Sequence, residues 1–410
     1  MSLIDVKNAQ QIIDDQQVLP NPPVLQKLWD CAGLGLAEDV TTPRDIPPFN
    51  RAAMDGYAVR SQDVQETPVT LDVVAVREAG DTGEIPIGPG QCVKIMTGAA
   101  VPPDADAVIM VEHTESDDPT RVATFLKSAS PWLNIARQGE DAVRGATVLP
   151  KSVRLTAQAL GVAAGVGRAT LLVHPTPNVA LLQTGGELLE PGDEPQDNKI
   201  FNSNATLLAG LIHDAGIGQI AWSGHSKDDR ELLENAVRDA LANSRLLLMT
   251  GGVSKGDFDF VPETLARCGV KILFHRLAVK PGRPLLFGVT VDNTFVFGLP
   301  GNPNSVLVSF KEYVLPVLRR LAAWPEPVWP ADATAILTKP VRQKPGRQFN
   351  CTARLFYKEG ALYADPIPGH GSGDYVSGAN ANGIIVIPKD SAGKDTGTEV
   401  PAHFWDLPLA

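Results

Sequence analysis

The stretch RLLLMTGGVSKGDFDF, Arg245–Phe260, joins an apolar run to a loop with three glycines, a lysine and two aspartates. An apolar run that ends in glycines is typical of a buried strand whose carboxyl end meets a ligand. Glycine lets a ligand approach the backbone, and free N–H groups there suit an anion. Asp257 and Asp259 would repel that anion unless a cation lay between them. Two interpretations stay open: a metal–phosphate site, or a turn in which an aspartate caps the short helix starting near Pro262.

The order of strand, glycine loop and helix occurs three times between Asn178 and Ala322. This alternation predicts a parallel α/β sheet, and ligands of such sheets collect beyond the carboxyl ends of the strands. The segments that predict helices between the strands are NATLLAGLIHDAG and DDRELLENAVRDALANS, the second with one apolar stripe. The three loops at the ligand-binding edge are Thr184–Gly186, Thr250–Gly256 and Gly298–Asn302.

Shorter apolar runs separated by turn residues lie on both sides of this region. Between Asp55 and about Gly145 they predict a small β-rich domain. After Ala323, the runs TAILT and GIIVIP predict a C-terminal β domain. Near the N-terminus, Pro23–Asp39 predicts a helix whose apolar side comprises Val24, Leu25, Leu28 and Ala32.

The composition narrows the class of protein. With 410 residues the chain is too long for one compact core, so several domains are expected. The net charge of −11 argues against a general nucleic-acid binder, which needs surplus Lys and Arg. Four cysteines without paired spacing, together with an N-terminus that lacks an apolar signal core, predict a cytoplasmic protein. No segment predicts a transmembrane helix.

Two further groups of charged residues lie between Asn178 and Ala322, and each has an interpretation that needs no binding site. Lys280 and Arg283 flank a Pro-Gly turn in LAVKPGRPLLFG, where they either form an anion site or a solvated basic turn. Asp228 and Asp229 open a predicted helix, where capping and the helix dipole are sufficient explanations. The seven histidines form no zinc-binding motif and no serine-nucleophile elbow is present, so the sequence gives no case for a zinc enzyme or a serine hydrolase.

Eight segments, spread over nearly the whole chain, occur in an order found in one protein family. They are PPFNRAAMDGYAVR, CVKIMTGAAVP, ARQGEDAVRGATVL, LLQTGGELLEPG, MTGGVSKGDFDFV, LAVKPGRPLLFG, FGLPGNPNSVLVSF and ANANGIIVIP. Each alone is a weak pattern, but together they resemble the MoeA-type molybdopterin molybdenumtransferases, whose animal relative is the E domain of gephyrin.

The resemblance implies a multidomain fold of the α/β plus β class. A central MogA-like three-layer α/β domain with a parallel sheet would be accompanied by an inserted β-rich domain, an elongated N-terminal domain and a C-terminal β-barrel. The implied boundaries are residues 1–46 with 145–176 for the elongated domain, 47–144 for the inserted domain, 177–325 for the molybdopterin-binding α/β domain and 326–410 for the barrel.

The resemblance also implies a reaction. Adenylylated molybdopterin and molybdate would be the substrates, AMP would be split off with Mg²⁺ as cofactor, and molybdenum would remain on the dithiolene. Family members are homodimers whose active site lies between the α/β domain of one subunit and the inserted domain of the other. No adenylyltransferase domain precedes residue 1, so we expect a separate molybdopterin adenylyltransferase as supplier, and molybdoenzymes or their chaperones as recipients. A tungstate-inserting variant and a non-catalytic cofactor-binding or scaffold paralogue stay open as alternatives.

Positions that match the family motifs give the candidate residues their roles. The implied catalytic residues are Asp55, Asp141, Glu187, Lys280 and Arg283. The implied residues for binding the molybdopterin substrate are Thr97, Thr184, Gly185, Gly251, Gly252, Ser254, Pro300, Gly301, Asn302 and Ser305. The implied metal ligands are Asp228 and Asp259, with Asp257 on the same side as Asp259 if the loop is extended.

The chain departs from the family pattern at several positions. Gly186 and Asn202 replace acidic or amide residues of two motifs, and Lys255 adds a charge to the GGVSKG loop. FNRAAMDG lacks the usual DNS triplet. In the C-terminal domain, Thr352 or Cys351 occupies the place of an expected basic residue, and Ser372 comes early in GHGSGD. These last two departures concern the molybdate side of the site more than the nucleotide side.

Overall fold

The computed structural model describes residues 3–226, 229–252, 260–330, 332–367, 369, 374 and 376–405. The chain forms two compact units. One comprises Met1–Ala37, Ser152–Ala157 and Thr170–Ala410, and the other comprises Glu38–Lys151 and Gln158–Ala169. Within the described ranges, no helix has the length and apolar character needed to cross a membrane.

A six-stranded sheet lies at the centre of the first unit. Four neighbouring strands pair in parallel, the fifth runs opposite to them, and the sixth pairs antiparallel with the fifth at one edge. The predicted fold class is confirmed, and the antiparallel edge has a simple cause: residues 290–294 form a tight turn, too short for a crossover helix between parallel strands. In spatial order the strands are Gln219–Ser226, Asn178–Thr184, Leu246–Thr250, Phe295–Leu299, Leu286–Val289 and Lys271–His275.

Helices cover both faces of this sheet and make it the middle of three layers. Alternate side chains of the strand Asn178–Thr184 pack on opposite faces of the sheet. Leu181 packs in one hydrophobic cluster, whereas Ala180 and Leu182 pack in the other. Both predicted helices form, and Asp229 caps the second by accepting a 2.9 Å hydrogen bond from the Leu232 backbone. The helices are Ser203–Ala215, Arg230–Ala242, Val261–Arg267, Pro303–Ser309 and Leu315–Leu321, the last two joined by a π-helical turn, Phe310–Val314.

The C-terminal part of the first unit is a closed five-stranded barrel, which confirms the predicted β domain. Its strands, in order, are Gln348–Lys358, Ala361–Pro366, Asp332–Leu337, Glu399–Phe404 and Gly383–Ile387, the last pairing back with the first. A short strand of the α/β region, Val279–Lys280, pairs in parallel with the first barrel strand, with Lys280 opposite Phe349. A barrel strand therefore fixes the backbone of Lys280.

A buried carboxylate also joins the π-helical turn to the barrel. Glu312 is only 5% exposed. One of its oxygens accepts a 2.7 Å hydrogen bond from His403 Nδ1, and the other accepts a 2.8 Å hydrogen bond from Trp405 Nε1. Both donors come from the last strand of the barrel or the residue that follows it. Glu312 thus holds the barrel against the helix by a buried, charge-assisted network.

The N-terminal region contains the helix Val6–Asp14 and a three-stranded sheet of Val24–Lys27, Thr170–His174 and Gly35–Leu36. The helix predicted over Pro23–Asp39 is wrong: Val24–Lys27 is a strand that pairs antiparallel with Thr170–His174, followed by a 3₁₀ turn at Leu28–Asp30. The partner strand lies far along the chain, and its hydrogen bonds override the local helical periodicity.

The second unit is built on another six-stranded sheet, as the β-rich pattern predicts. One core contains Tyr57 and Phe125 in edge-to-face contact, with ring centroids 5.7 Å apart. The strands, in spatial order, are Ala107–Met110, Gly56–Val59, Gln91–Ile95, Val69–Arg77, Val122–Phe125 and Thr114–Glu115. Short pairs elsewhere in the unit join Arg51–Ala52 with Ile135–Ala136 and Val40–Thr41 with Thr147–Leu149.

Candidate active site

Glycine-rich loops meet at the carboxyl ends of three neighbouring parallel strands, as the sequence predicts. They open onto a cavity of about 460 Å³. Its wall on one side carries the exposed apolar side chains of Ile200 and Phe201. Five of the predicted site residues line this cavity: Thr184, Glu187, Gly251, Gly301 and Asn302.

Gly251 makes the closest approach between two of these loops. Its φ of +85° lies in the left-handed region, and a Cβ on this residue would lie 2.8 Å from Thr184 Oγ1 and still closer to the Thr184 carbonyl oxygen. Thr184 Oγ1 itself donates a 3.2 Å hydrogen bond to the Thr250 carbonyl. Glycine is therefore required here for two reasons, backbone conformation and space. Gly252 lies beside the same hydroxyl, with its hypothetical Cβ 3.0 Å from it.

Two basic side chains hold the Gly185–Glu187 turn by its carbonyl oxygens. His225 Nε2 lies 2.8 Å from the Gly185 carbonyl, to which it donates, and Lys199 Nζ donates to the Gly186 carbonyl. Sequence reasoning missed both residues because neither lies in a glycine loop. The turn that they hold positions Glu187, whose carboxylate lies against Gly185 so closely that a Cβ there would clash with it.

A second cavity of about 440 Å³ adjoins the first, and the two share Gly301 and Asn302. We call the two together the substrate groove. The structure brings Lys280 and Arg283 into the second cavity together with Pro300 and Ser305. Gly282, with a φ of +100°, forms the turn between the two basic residues. The predicted basic pair therefore lies beside the predicted PGNP turn.

Ser309 lies behind this turn and was not singled out by the sequence. Its side chain is 1% exposed, and its Oγ has no hydrogen-bond partner among the described residues. A Cβ on Gly282 would lie 3.0 Å from that oxygen, so the hydroxyl packs directly against the turn. Lys280 Nζ lies 4.9 Å from the centroid of the Phe349 ring, a cation–π contact that orients the ammonium group.

Asp55 and Thr97, both in the second unit, are in direct contact. Asp55 Oδ1 accepts two 2.7 Å hydrogen bonds, one from the backbone N–H and one from the hydroxyl of Thr97. These donors, the backbone N–H first, lower the pKa of the exposed Asp55 carboxyl below its ordinary value. Asp141 is exposed, and its backbone N–H donates a 2.9 Å hydrogen bond to the Ile46 carbonyl.

We expect the substitution Thr97→Val to raise the pKa of Asp55 part of the way back toward its ordinary value. The rise is partial because the backbone N–H of residue 97 still donates. A carboxyl whose folded pKa is lowered stabilises the fold above its unfolded pKa, and that stabilisation is lost as the pH falls through the folded pKa. The variant therefore loses it at a higher pH than the natural protein. Carbon-13 NMR titration of the Asp55 carboxyl measures the shift.

Thr70→Val is the matched control for this titration, because Thr70 bonds to the Thr124 hydroxyl instead of a carboxylate. The control should leave the Asp55 titration where it is in the natural protein. An Asp55 pKa that is the same in the Thr97 variant and in the control would contradict the assigned role of the hydroxyl.

The predicted metal ligands Asp228, Asp257 and Asp259 lie outside the described residues, as does Ser254. Across the part of the chain that is described, no group of three or more His, Cys, Asp or Glu side chains is arranged to hold a metal ion. The metal assignment therefore stays a prediction. Phe260 occupies the N-cap of the helix Val261–Arg267 and makes no side-chain capping bond. The aspartates of the alternative capping interpretation lie outside the described residues, so that interpretation stays open as well.

One of the departures in the C-terminal domain, at Cys351 or Thr352, lies next to Lys280. Cys351 and Thr352 line a small cavity of about 60 Å³ together with Lys280 and Phe349. Burial raises the pKa of the Cys351 thiol to about 12, so the group is neutral and does not replace a basic side chain. Lys255 and Ser372 lie outside the described residues.

Three protein-family models match the chain in succession. Residues 4–167 match the MoeA N-terminal region (domain I and II), residues 180–320 match a probable molybdopterin-binding domain, and residues 334–405 match the MoeA C-terminal region (domain IV). The order and extent of the matches agree with the order of the eight sequence segments.

Relatives and solved structures agree with the family models. The molybdopterin molybdenumtransferase of Bacillus subtilis strain 168 is 34% identical over 89% of this chain and 86% of its own. Molybdopterin molybdenumtransferase 2 of Mycobacterium tuberculosis H37Rv is 33% identical over 94% of this chain and 95% of its own. A crystal structure of the molybdopterin biosynthesis MoeA protein of Pyrococcus horikoshii, 29% identical, superposes with a TM-score of 0.82 and covers 98% of this chain and 100% of that one. The chain belongs to the MoeA family of molybdopterin molybdenumtransferases.

Proposed function

We propose that this protein is a transferase of molybdenum cofactor biosynthesis, which inserts molybdate into adenylylated molybdopterin and releases AMP in a Mg²⁺-dependent reaction. The substrate groove carries the proposal. One half is lined by close-packed glycine loops at strand ends, and the other half contains Lys280 and Arg283. A phosphate-bearing heterocycle and an oxyanion need such neighbouring environments in one site.

The two halves of the groove have different chemical tasks in this proposal. Gly251, Gly252 and the turn at Gly301 bring backbone close to the substrate, so that backbone N–H groups can bind phosphate oxygens. Arg283 presents a planar fork of donors, and Lys280 presents a point charge, for molybdate or a phosphate oxygen. Glu187, held on its turn by His225 and Lys199, faces the same cavity and orients a polar group of the substrate.

Asp228, Asp259 and Asp257 are the proposed Mg²⁺ ligands. Carboxylate oxygens are the donors that Mg²⁺ prefers, and bound Mg²⁺ offsets phosphate charge during cleavage of a P–O bond. We propose further that the protein is a homodimer, with Asp55, Thr97 and Asp141 acting in the active site of the partner subunit. Two exposed apolar side chains support a contact with a second copy: Leu25, 68% exposed on the first strand of the N-terminal sheet, and Trp29, 93% exposed in the turn that follows it.

The remaining proposals follow from the same family membership. We propose a cytoplasmic location, a separate molybdopterin adenylyltransferase that supplies the substrate, and molybdoenzymes or their chaperones as recipients. The alternatives are a tungstate-inserting variant and a paralogue that binds cofactor without turnover. The neutral Cys351 beside Lys280 supports the paralogue that binds cofactor without turnover, because the oxyanion half of the site then lacks the expected basic side chain.

The test is AMP release from purified protein given adenylylated molybdopterin and Mg²⁺, with molybdate, with tungstate and with neither. Release that depends on molybdate supports the transferase, and release with tungstate alone supports the tungstate variant. Tight binding of adenylylated molybdopterin without AMP release would contradict the proposed reaction and favour the non-catalytic paralogue.

We expect the double substitution Asp228→Ala with Asp259→Ala to lower the rate of AMP release by more than about 100-fold, because a catalytic metal contributes several kcal/mol to charge stabilisation. The matched control is Asp229→Asn, which removes a neighbouring charge and keeps a capping oxygen for the Leu232 backbone. AMP release by the double variant at the rate of the control would contradict the metal assignment.

A further inference from the structure

A further pocket lined by basic residues opens beside the substrate groove, and the proposed reaction uses only one of its lining residues, Lys280. We call it the basic pocket; it has a volume of about 460 Å³. Its lining consists of Lys280, Arg342, Gln343, Lys344 and Arg347, so that four of the five residues are cationic. Lys280 and Arg347 line the substrate groove as well, which places the basic pocket directly next to it.

The loop that forms the basic pocket is held in place by its neighbours. Arg342 forms an ion pair with Asp395, and its strand pairs with Gly393–Lys394. Gln343 Nε2 donates hydrogen bonds to the Pro388 and Ser391 carbonyls, at 2.8 and 3.0 Å. The Gly346 backbone N–H donates a 2.7 Å hydrogen bond to the Lys389 carbonyl. The positive charges are therefore presented by a fixed backbone, which lowers the entropy cost of binding a ligand.

The charges of the basic pocket are largely uncompensated. Among the described residues, no carboxylate lines the pocket, and Lys280, Lys344 and Arg347 have no acidic partner. Asp395, the partner of Arg342, is 76% exposed and points its charge into solvent. The whole protein carries a net charge of −11, which repels oxyanions at long range. A concave positive site on such a surface concentrates small anions locally.

We propose that the basic pocket is an accessory site for a dianionic tetrahedral oxo group, from which the group passes to the substrate groove through the shared Lys280. The proposal rests on the proposed function, because molybdate is the oxyanion that the groove would consume. Lys344 and Arg347 supply the charge of this site, and Arg347 is half-buried at the boundary with the groove. A free oxyanion and a phosphate monoester share this chemistry, and the test separates them.

Equilibrium dialysis of the full-length protein against molybdate, with bound molybdenum counted by mass spectrometry, measures the site without any turnover. We expect Lys344→Gln with Arg347→Gln to weaken molybdate binding about tenfold, since a focusing positive cleft raises local anion concentration by at least this factor. Lys271→Gln with Lys358→Gln is the matched control, which removes the same charge from exposed positions that neither line the basic pocket nor hold its loop. Lys344→Arg with Arg347→Lys should restore binding and shows that loss of charge, not of folding, is responsible.

Two further comparisons decide which anion the basic pocket binds and whether the pocket binds an anion at all. If AMP displaces molybdate from the natural protein and the neutral double variant weakens AMP binding equally, the pocket takes a phosphate monoester; if AMP leaves molybdate in place, it takes the free oxyanion. Equal molybdate affinity in the neutral variant and its control overturns the proposed pocket, even when AMP release depends on molybdate. Weakened molybdate binding in a protein that releases no AMP supports the pocket and contradicts the reaction instead.

Discussion

Gly251→Ala is expected to reduce AMP release by at least about 100-fold, corresponding to a loss of about 3 kcal/mol of transition-state stabilisation. The added methyl group would lie 2.8 Å from Thr184 Oγ1 and closer still to the Thr184 carbonyl oxygen, so the two loops must move apart. A displacement of about 1 Å at a positioning loop is sufficient for a 100-fold loss of rate. The left-handed backbone of residue 251 adds a conformational cost of about 1 kcal/mol.

Gly269→Ala separates these two effects. Gly269 has a φ of +83°, nearly that of Gly251, but a Cβ there would meet no atom within 4 Å. This control should show the conformational cost in its free energy of unfolding and leave AMP release near the natural rate. If both variants retained the natural rate of release, the close approach of the two loops would have no bearing on the reaction.

Glu312→Ala is expected to lower the free energy of unfolding by about 3 kcal/mol, because removing one member of a buried charge-assisted network leaves its partners unsatisfied. His403 Nδ1 and Trp405 Nε1 both lose their acceptor, and these donors lie at the end of the barrel. The barrel should therefore loosen from the helix before the central sheet unfolds. Guanidinium denaturation followed by circular dichroism gives the free energy, and the part of the tryptophan fluorescence that is lost on Trp405→Phe reports the surroundings of Trp405, since the chain has six tryptophans.

Glu399→Ala provides the comparison on the same strand of the barrel. Glu399 is exposed, so its removal should change the free energy of unfolding by no more than about 0.5 kcal/mol. A loss of stability in the Glu312 variant as small as this would show that the network contributes little to holding the barrel.

The central α/β region could be predicted from the sequence because its signals are local. Glycine and proline mark the ends of the strands, as at Gly251 and Gly301, and each following helix has an apolar stripe that needs no distant information. The strand Val24–Lys27 was predicted wrongly as a helix because its structure depends on hydrogen bonds to Thr170–His174. No local sequence pattern around Val24–Lys27 identifies this distant partner strand.

The same distinction between local and long-range signals applies to the residues of the candidate site. The loops that line the substrate groove were predictable, since chain order places strand ends at one edge of a parallel sheet. His225, Lys199 and Arg347 were not, because each reaches the site from a segment whose position depends on tertiary packing. The resemblance to a family supplied the roles of Lys280 and Arg283, for which spacing alone favoured a solvated turn.

The pairing of Val279–Lys280 with the first barrel strand has a consequence for how such a chain tolerates changes in length. Because side chains alternate along a strand, a slip of one residue in this ladder would turn Lys280 to the opposite side. Insertions in the exposed turn at residues 359–360 leave the ladder intact, whereas a single insertion or deletion at Gln348–Phe349 would misdirect the ammonium group even if the barrel still closed. Length variants produced by mutagenesis should therefore retain activity when the change lies in that turn and lose activity when it lies in the ladder.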